Sequence, residues 1–173
     1  MAIDKITTAS ITDANITTAK IASGVLPANT PAFRAASNAN QTLSNNTSTK
    51  ITTFGTEDFD TNNDFASNRF TPTIAGKYFV YAQLGMTNTT TADVMNFAMT
   101  MIYKNGSELV RNYIDPKDAA PLNTVSPNVT TVVAMNGSSD YLEVFGNQDV
   151  SAGAPKVGNG GNQTYFGAYK IIE

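Results

Sequence analysis

One stretch of the sequence, residues 70–86, constrains the fold more than any other part of the chain. Pro72 cannot donate a hydrogen bond to a sheet and Gly76 provides the backbone freedom of a tight turn, so a strand begins after this pair. After the turn, apolar side chains occupy both alternating positions, with Tyr78 on one face and Phe79 on the other. A strand with two apolar faces needs a packing partner on each. We therefore predict the central strand of a sandwich, whose second face contacts another subunit.

Further strand-like segments follow along most of the chain. Asn105-Gly106, between two of them, is the strongest short signal for a β-hairpin. Prolines, glycines and polar residues separate the other segments and predict loops over residues 55–68, 115–128 and 146–162. Short strands at this spacing are typical of a sandwich or jelly roll, so the predicted fold class is all-β. The predicted strands are residues 32–38, 50–54, 77–86, 94–104, 108–114, 129–135, 140–145 and 164–172.

A repeat with a period of five residues occupies the N-terminal part of the chain. Isoleucine recurs in it at Ile6, Ile11, Ile16 and Ile21. Neither a helix nor a flat strand keeps this period on one face, so the repeat predicts either a β-stalk wound from three chains or a polar arm without fixed structure. Two prolines between residues 24 and 31 indicate a hinge. We therefore divide the chain into an N-terminal arm or stalk, residues 1–30, and a head, residues 32–173.

The composition excludes several classes of function. The 173 residues contain neither cysteine nor histidine, so the commonest thiolate, metal-binding and general-base side chains are missing, and we predict no enzyme and no cofactor. A net charge of −3 without a basic run argues against nucleic-acid binding. No apolar stretch reaches the ~18 residues of a membrane span, and the N-terminus lacks the pattern of a signal peptide. We expect no membrane insertion and synthesis in a cytoplasm.

Five blocks of the head occur in a recognisable order. They comprise residues 32–35, then Phe54 with residues 58–65 and 68–80, then residues 102–106, 136–144 and 165–172. In this order they resemble the globular head of complement component one, subcomponent q, and the related tumour necrosis factor jelly rolls. Phe70-Thr71 and the turn before Tyr78 are the most specific block, although Ala75 stands where that family usually has proline. The resemblance implies a homotrimeric jelly roll of ten strands.

The arm carries a second resemblance, because residues 12–24 are similar to repeats of bacteriophage fibre and virion structural proteins. Together the two resemblances imply a non-enzymatic protein of a virion surface, made in the host cytoplasm. The fibre-like repeat favours a trimeric tail fibre or receptor-binding knob that contacts a bacterial surface glycan or protein. The shortness of the chain favours capsid decoration, with the arm bound to other virion proteins. An enzyme that acts on polysaccharide is a remote alternative.

One acidic segment has the beginning of a calcium-binding pattern. Oxygen-bearing side chains alternate along it at Asp58, Asp60, Asn62 and Asp64. A calcium loop of this type needs glycine at its sixth position and glutamate at its twelfth, where this chain has Asn63 and Arg69. We therefore predict no metal site and keep the four residues only as weak candidates.

Three polar loops are the predicted recognition surfaces, since rigid sandwiches often bind partners through their loops. Their candidate residues are Thr87, Asn88, Thr89, Thr90 and Asp93 in the first loop, Asp115, Lys117, Asp118 and Asn123 in the second, and Asn159 and Asn162 in the third. Met95, Met99 and Met101 share one face of a predicted strand, and we interpret this face as part of the core.

Overall fold

The computed structural model describes residues 29–90, 94–115 and 122–172. The predicted arm, with Ile6, Ile11, Ile16 and Ile21, lies outside these residues. The described residues contain fourteen β-strands and no helix. The strands are β1 (Ala32–Ala36), β2 (Gln41–Thr42), β3 (Thr49–Lys50), β4 (Thr56–Asp60), β5 (Phe65–Ala66), β6 (Arg69–Phe70), β7 (Gly76–Gln83), β8 (Met86–Asn88), β9 (Met95–Lys104), β10 (Ser107–Ile114), β11 (Asn128–Met135), β12 (Leu142–Val150), β13 (Pro155–Val157) and β14 (Tyr165–Lys170).

Ten of the strands form two antiparallel sheets, which confirms the predicted all-β jelly roll. The first sheet has the order β11-β7-β14-β1-β4, and the second has the order β10-β9-β12-β6-β5. β3 widens the second sheet by pairing with β12, and β2, β13 and β8 form a third, small sheet. Neighbouring strands are often far apart in sequence, as β1 and β14 are, so the fold depends on long-range pairing.

The core between the two sheets is centred on an aromatic cluster around Phe33, which is fully buried. Its ring stacks on Phe65 at 4.8 Å and on Phe70 at 4.4 Å, and it meets the edge of Phe166 at 4.9 Å. Each such pair stabilises the fold by about 0.5–1.5 kcal/mol beyond the burial of its area. Because these residues come from both sheets, the cluster fixes one sheet against the other.

The long apolar stretch is shorter as a strand than the sequence predicts. β7 ends at Gln83, and β8 begins at Met86 in the small third sheet. Between them, Gly85 donates its backbone N–H to the Thr164 hydroxyl and accepts from the Gly158 N–H, so the chain leaves the ladder there. β7 is also not central but second in its sheet, between β11 and β14. Its two apolar faces are nevertheless real, with Tyr78 in the core and Phe79 on the opposite side.

Three predicted segments were wrong, because backbone pairing and not side-chain character decides where a strand begins and ends. The predicted strand at residues 50–54 ends at Lys50. The predicted acidic loop at residues 55–68 contains β4, which pairs along the edge of β1, and β5. The predicted loop at residues 146–162 contains the rest of β12, which continues its ladder with β9, and β13. At Gly146 the strand carries no side chain, and a Cβ atom there would lie 3.1 Å from the side chains of Leu84 and Met86.

The predicted hairpin at Asn105-Gly106 is confirmed. Both residues have positive φ angles, 52° and 80°, as the favoured two-residue turn requires. The register slips by one residue in β10, between Glu108 and Val110, so Arg111 pairs with Met101 and Tyr113 pairs with Met99. A slip of one residue exchanges the two faces of a strand. The bulge therefore turns Arg111 and Tyr113 to the outside of the sandwich.

Candidate functional site

The outward side of the first sheet carries a continuous set of large side chains, here called the aromatic face. It consists of Phe79 and Tyr81 on β7, Tyr165 and Tyr169 on β14, and Val132 on β11. The pairing register places Val132, Phe79 and Tyr169 in one row across three strands. The aromatic rings of this face contact each other in pairs. The ring centroids are 5.4 Å apart for Phe79 and Tyr169 and 6.1 Å apart for Tyr81 and Tyr165.

The aromatic face is open to solvent in the single chain. Val132 is 53% exposed and Tyr169 is 37% exposed. Aromatic residues are enriched at the centres of protein interfaces, and contiguous exposed apolar patches on a folded domain mark interaction sites. The aromatic face therefore has the chemistry of a protein–protein contact.

Gly167 shapes the middle of the aromatic face. It pairs with Tyr81 across β14 and β7, and a Cβ atom at Gly167 would lie 2.3 Å from Cζ of the Tyr81 ring. The absence of a side chain lets the ring lie flat across the neighbouring strand. Burial raises the pKa of the Tyr81 phenol, an effect that Arg34 partly offsets. The face is therefore uncharged at its centre.

Arg34 closes one side of the aromatic face. Its guanidinium lies 5.1 Å from the centre of the Tyr165 ring, donates to the Gly161 carbonyl at 2.7 Å and forms an ion pair with Asp58. A cation over an aromatic ring is attracted by the ring quadrupole. Arg34 thus provides a polar rim with satisfied partners.

The four weak calcium candidates do not converge on one point. Asp58 pairs with Arg34, and Asp60 accepts backbone N–H groups of Asn62 and Phe65 at 3.3 and 2.8 Å. Asp64 is buried and accepts from the Thr73 backbone at 3.1 Å. Within the described part of the chain, no three acidic, cysteine or histidine side chains come together in a way that could hold a metal ion. These carboxylates instead hold their loops in shape.

In the first and third predicted recognition loops, several described residues are held by short strands and hydrogen bonds. Thr87 and Asn88 belong to β8, and Asn88 is buried, accepting from Thr90 N–H at 2.7 Å. The Thr89 hydroxyl accepts from the Ala154 N–H at 2.9 Å and so ties this loop to the next. Among the other candidates, the exposed ones are Asn159 and Asn162, the partly exposed ones are Asp115 and Asn123, and those outside the described residues are Asp93, Lys117 and Asp118.

A second open surface, missed by the sequence analysis, lies on the outside of the second sheet and is here called the outer groove. It is lined by Asn46, Phe97, Met99, Arg111 and Tyr113 and has a volume of about 390 Å³. The interpretation of the methionine face as part of the core is wrong for Met99, because Ala98, Thr100 and Ile102 point inward instead. Met101 lies on the same outward face but is covered, with Ser48 contacting its sulfur at 3.9 Å.

A buried ion-pair cluster lies elsewhere on the second sheet. Glu143 has only 6% of its side chain exposed and accepts from Lys50 Nζ at 2.6 Å and from Arg69 Nη2 at 2.9 Å. The Arg69 guanidinium also lies 3.9 Å from the centre of the Tyr141 ring. Burial acts to raise the pKa of Glu143, but the hydrogen bonds from the two cations outweigh it and lower that pKa. The carboxylate therefore joins β3, β6 and β12 as a charged structural link.

Comparison with known proteins gives the fold alone. The structure of an Eiger TNF from S. frugiperda matches with a TM-score of 0.61 at 11% identity, covering 82% of this chain and 92% of that chain. Murine APRIL at pH 5.0 matches with a TM-score of 0.59 at 12% identity, covering 81% of this chain and 98% of that chain. No family model and no curated protein matches the sequence. The jelly roll is thus of the TNF type.

The described residues include no helix with the length and apolar character needed to cross a bilayer.

Proposed function

We propose that this chain is a non-enzymatic structural protein of a bacteriophage virion surface, made in the host cytoplasm, whose heads associate as homotrimers and contact the host cell. The aromatic face is the observation that carries the proposal. It places uncharged rings on the outside of a sheet, where a second and third copy of the chain would cover them. The TNF-type fold and the resemblance of the head to trimeric jelly rolls favour three copies over two.

The geometry of the sheets supports a different role for each of them. In the proposed trimer the first sheet of each copy would face the three-fold axis, because it carries the aromatic face. The second sheet and the loops beside it would then face outward. Three identical outward surfaces raise the avidity for a repetitive cell surface even when each single site binds weakly.

The repeat in the arm supports the virion assignment. Its similarity to repeats of bacteriophage fibres favours attachment of the arm to other virion proteins.

The first experiment is sedimentation equilibrium of the full chain. We expect a mass three times the 18.4 kDa of one chain. A stable monomer would contradict the proposed assembly.

The second experiment is immunogold electron microscopy of virions purified from cells that produce this chain, with antibodies against the head. Label at the tail supports a receptor-binding fibre or knob. Label over the shell would replace that role with capsid decoration, and particles without label would contradict the virion assignment.

A further inference from the structure

The outer groove has the dimensions and lining of a small-ligand site. Its volume of about 390 Å³ falls within the ~300–1,000 Å³ that is usual for such sites. Phe97 and Tyr113 form one wall, with ring centroids 5.5 Å apart and planes inclined at 47°. Tyr113 is 47% exposed, so its ring offers a flat apolar surface to an incoming ligand.

Polar residues lie beside this aromatic wall, in the same rows across the paired strands. Tyr113, Met99 and Asn147 form one row across β10, β9 and β12, and Phe97 stands opposite Asp149 in the next row. Asn147 is only 8% exposed, and its side-chain oxygen Oδ1 has no hydrogen-bond partner. This oxygen is enclosed by other protein atoms, so a ligand in the groove does not reach it, and the polar group that β12 offers at the rim is the partly exposed Asp149.

The charges around the outer groove discriminate between classes of ligand. Arg111 lines it and would repel a basic peptide. Asp149, opposite Phe97, and Asp115, which accepts from the Tyr113 hydroxyl at 2.9 Å, would repel an acidic polymer. A neutral hydroxyl group avoids both penalties, since it donates to a carboxylate and accepts from a guanidinium.

We propose that the outer groove binds a neutral pyranose unit of a cell-surface glycan, a proposal that rests on the proposed contact with the host. A pyranose ring has an apolar face of C–H groups and a rim of hydroxyls. Its apolar face stacks on the Tyr113 ring, and its hydroxyls meet Arg111 and Asp149. The sheet holds these side chains on β10 and β12, on either side of β9, so the site is formed before the ligand arrives.

The test is titration of probes of three classes into the full chain, with binding monitored by saturation-transfer NMR. The neutral probes are lactose, maltotriose and methyl α-mannoside; the acidic probe is trigalacturonic acid; the basic probe is hexalysine. We expect saturable binding of at least one neutral probe. Tyr113→Ala should weaken it about tenfold, whereas Tyr113→Phe keeps the ring and should change it less than about twofold.

Leu109→Ala is the matched control, because Leu109 is exposed on the same strand but does not line the groove. It should leave binding unchanged. Far-ultraviolet circular dichroism and the thermal midpoint check that each variant is folded. Failure of every neutral probe, binding of the acidic or basic probe alone, or neutral binding that Tyr113→Ala leaves intact would each overturn the proposal.

The mass of the same samples separates this inference from the proposed assembly. A trimer that binds no neutral probe overturns the glycan site and leaves the assembly standing. A monomer that binds a neutral probe through Tyr113 overturns the assembly and supports the site.

Discussion

Replacing Val132 by lysine tests the aromatic face directly. Val132 points out of β11, is 53% exposed, and lies beside Phe79 in the row that continues to Tyr169. A lysine there has room in the single chain, because the valine already faces solvent. In the proposed trimer the same ammonium group would lie between subunits without a partner.

The expected free-energy cost of Val132→Lys differs strongly between the single head and the trimer. An exposed substitution changes the free energy of unfolding of one head by no more than about 0.5 kcal/mol. Burying an unpaired charge costs several kcal/mol per ion, and even about 2 kcal/mol per copy amounts to about 6 kcal/mol for three copies. That penalty raises the dissociation constant of the trimer by roughly four powers of ten. We therefore expect Val132→Lys to yield folded monomers.

The assay is sedimentation velocity over a range of concentrations, with thermal unfolding as the check on folding. Leu109→Lys is the matched control, since Leu109 is also exposed, at 40%, but lies on the second sheet. It should remain trimeric. A Val132→Lys protein that sediments as the wild type does would refute the assignment of this face to the interface, and so would dissociation of both variants.

Three further changes test the interior and the hairpin. Glu143→Gln should lower the free energy of unfolding by about 2 kcal/mol at pH 7, because Lys50 and Arg69 lose their carboxylate partner. Since the folded pKa of Glu143 is lowered from 4.5, its contribution is present above that pH and is lost as the pH falls through the folded pKa, so urea titrations of wild type and Glu143→Gln should converge on acidification. Tyr78 donates to the Ile74 carbonyl at 2.7 Å, and Tyr78→Phe should cost about 1 kcal/mol at pH 7. Burial, and then Asp64, raise the pKa of Tyr78 from 10.0 to about 12, so this contribution is complete below pH 10 and disappears through pH 12; a Tyr78→Phe protein with unchanged alkaline sensitivity would contradict this. Gly106→Ala forces a side chain onto a φ of 80° and should cost about 1–2 kcal/mol in thermal unfolding.

Local sequence signals were sufficient where a structure depends on a few adjacent residues. The Asn105-Gly106 turn was predictable because positive φ angles are a local requirement that these residue types meet at low cost. The two apolar faces of β7 were predictable because side chains alternate along any strand. The order of the five blocks then indicated the jelly roll, which the structure confirms.

The same local signals failed where a strand depends on pairing with residues far away in the sequence. β4 consists largely of exposed polar residues, and it is a strand only because β1 offers its backbone at the sheet edge. β12 continues through Gly146 because β9 pairs with it over nearly its whole length. Composition predicted loops in both places, since neither side-chain burial nor β propensity identifies a strand that depends on its neighbour.

By itself the sequence determined which side chains share a face, since a strand alternates whatever it pairs with. Only the tertiary structure decided which of those faces is covered. The one-residue slip in β10 sets Arg111 and Tyr113 outward beside Met99, and the pairing of β7 with β11 and β14 brings Val132, Phe79 and Tyr169 into one row. Both surfaces depend on register between strands, and register is set by contacts across the whole domain, which no local window of sequence contains.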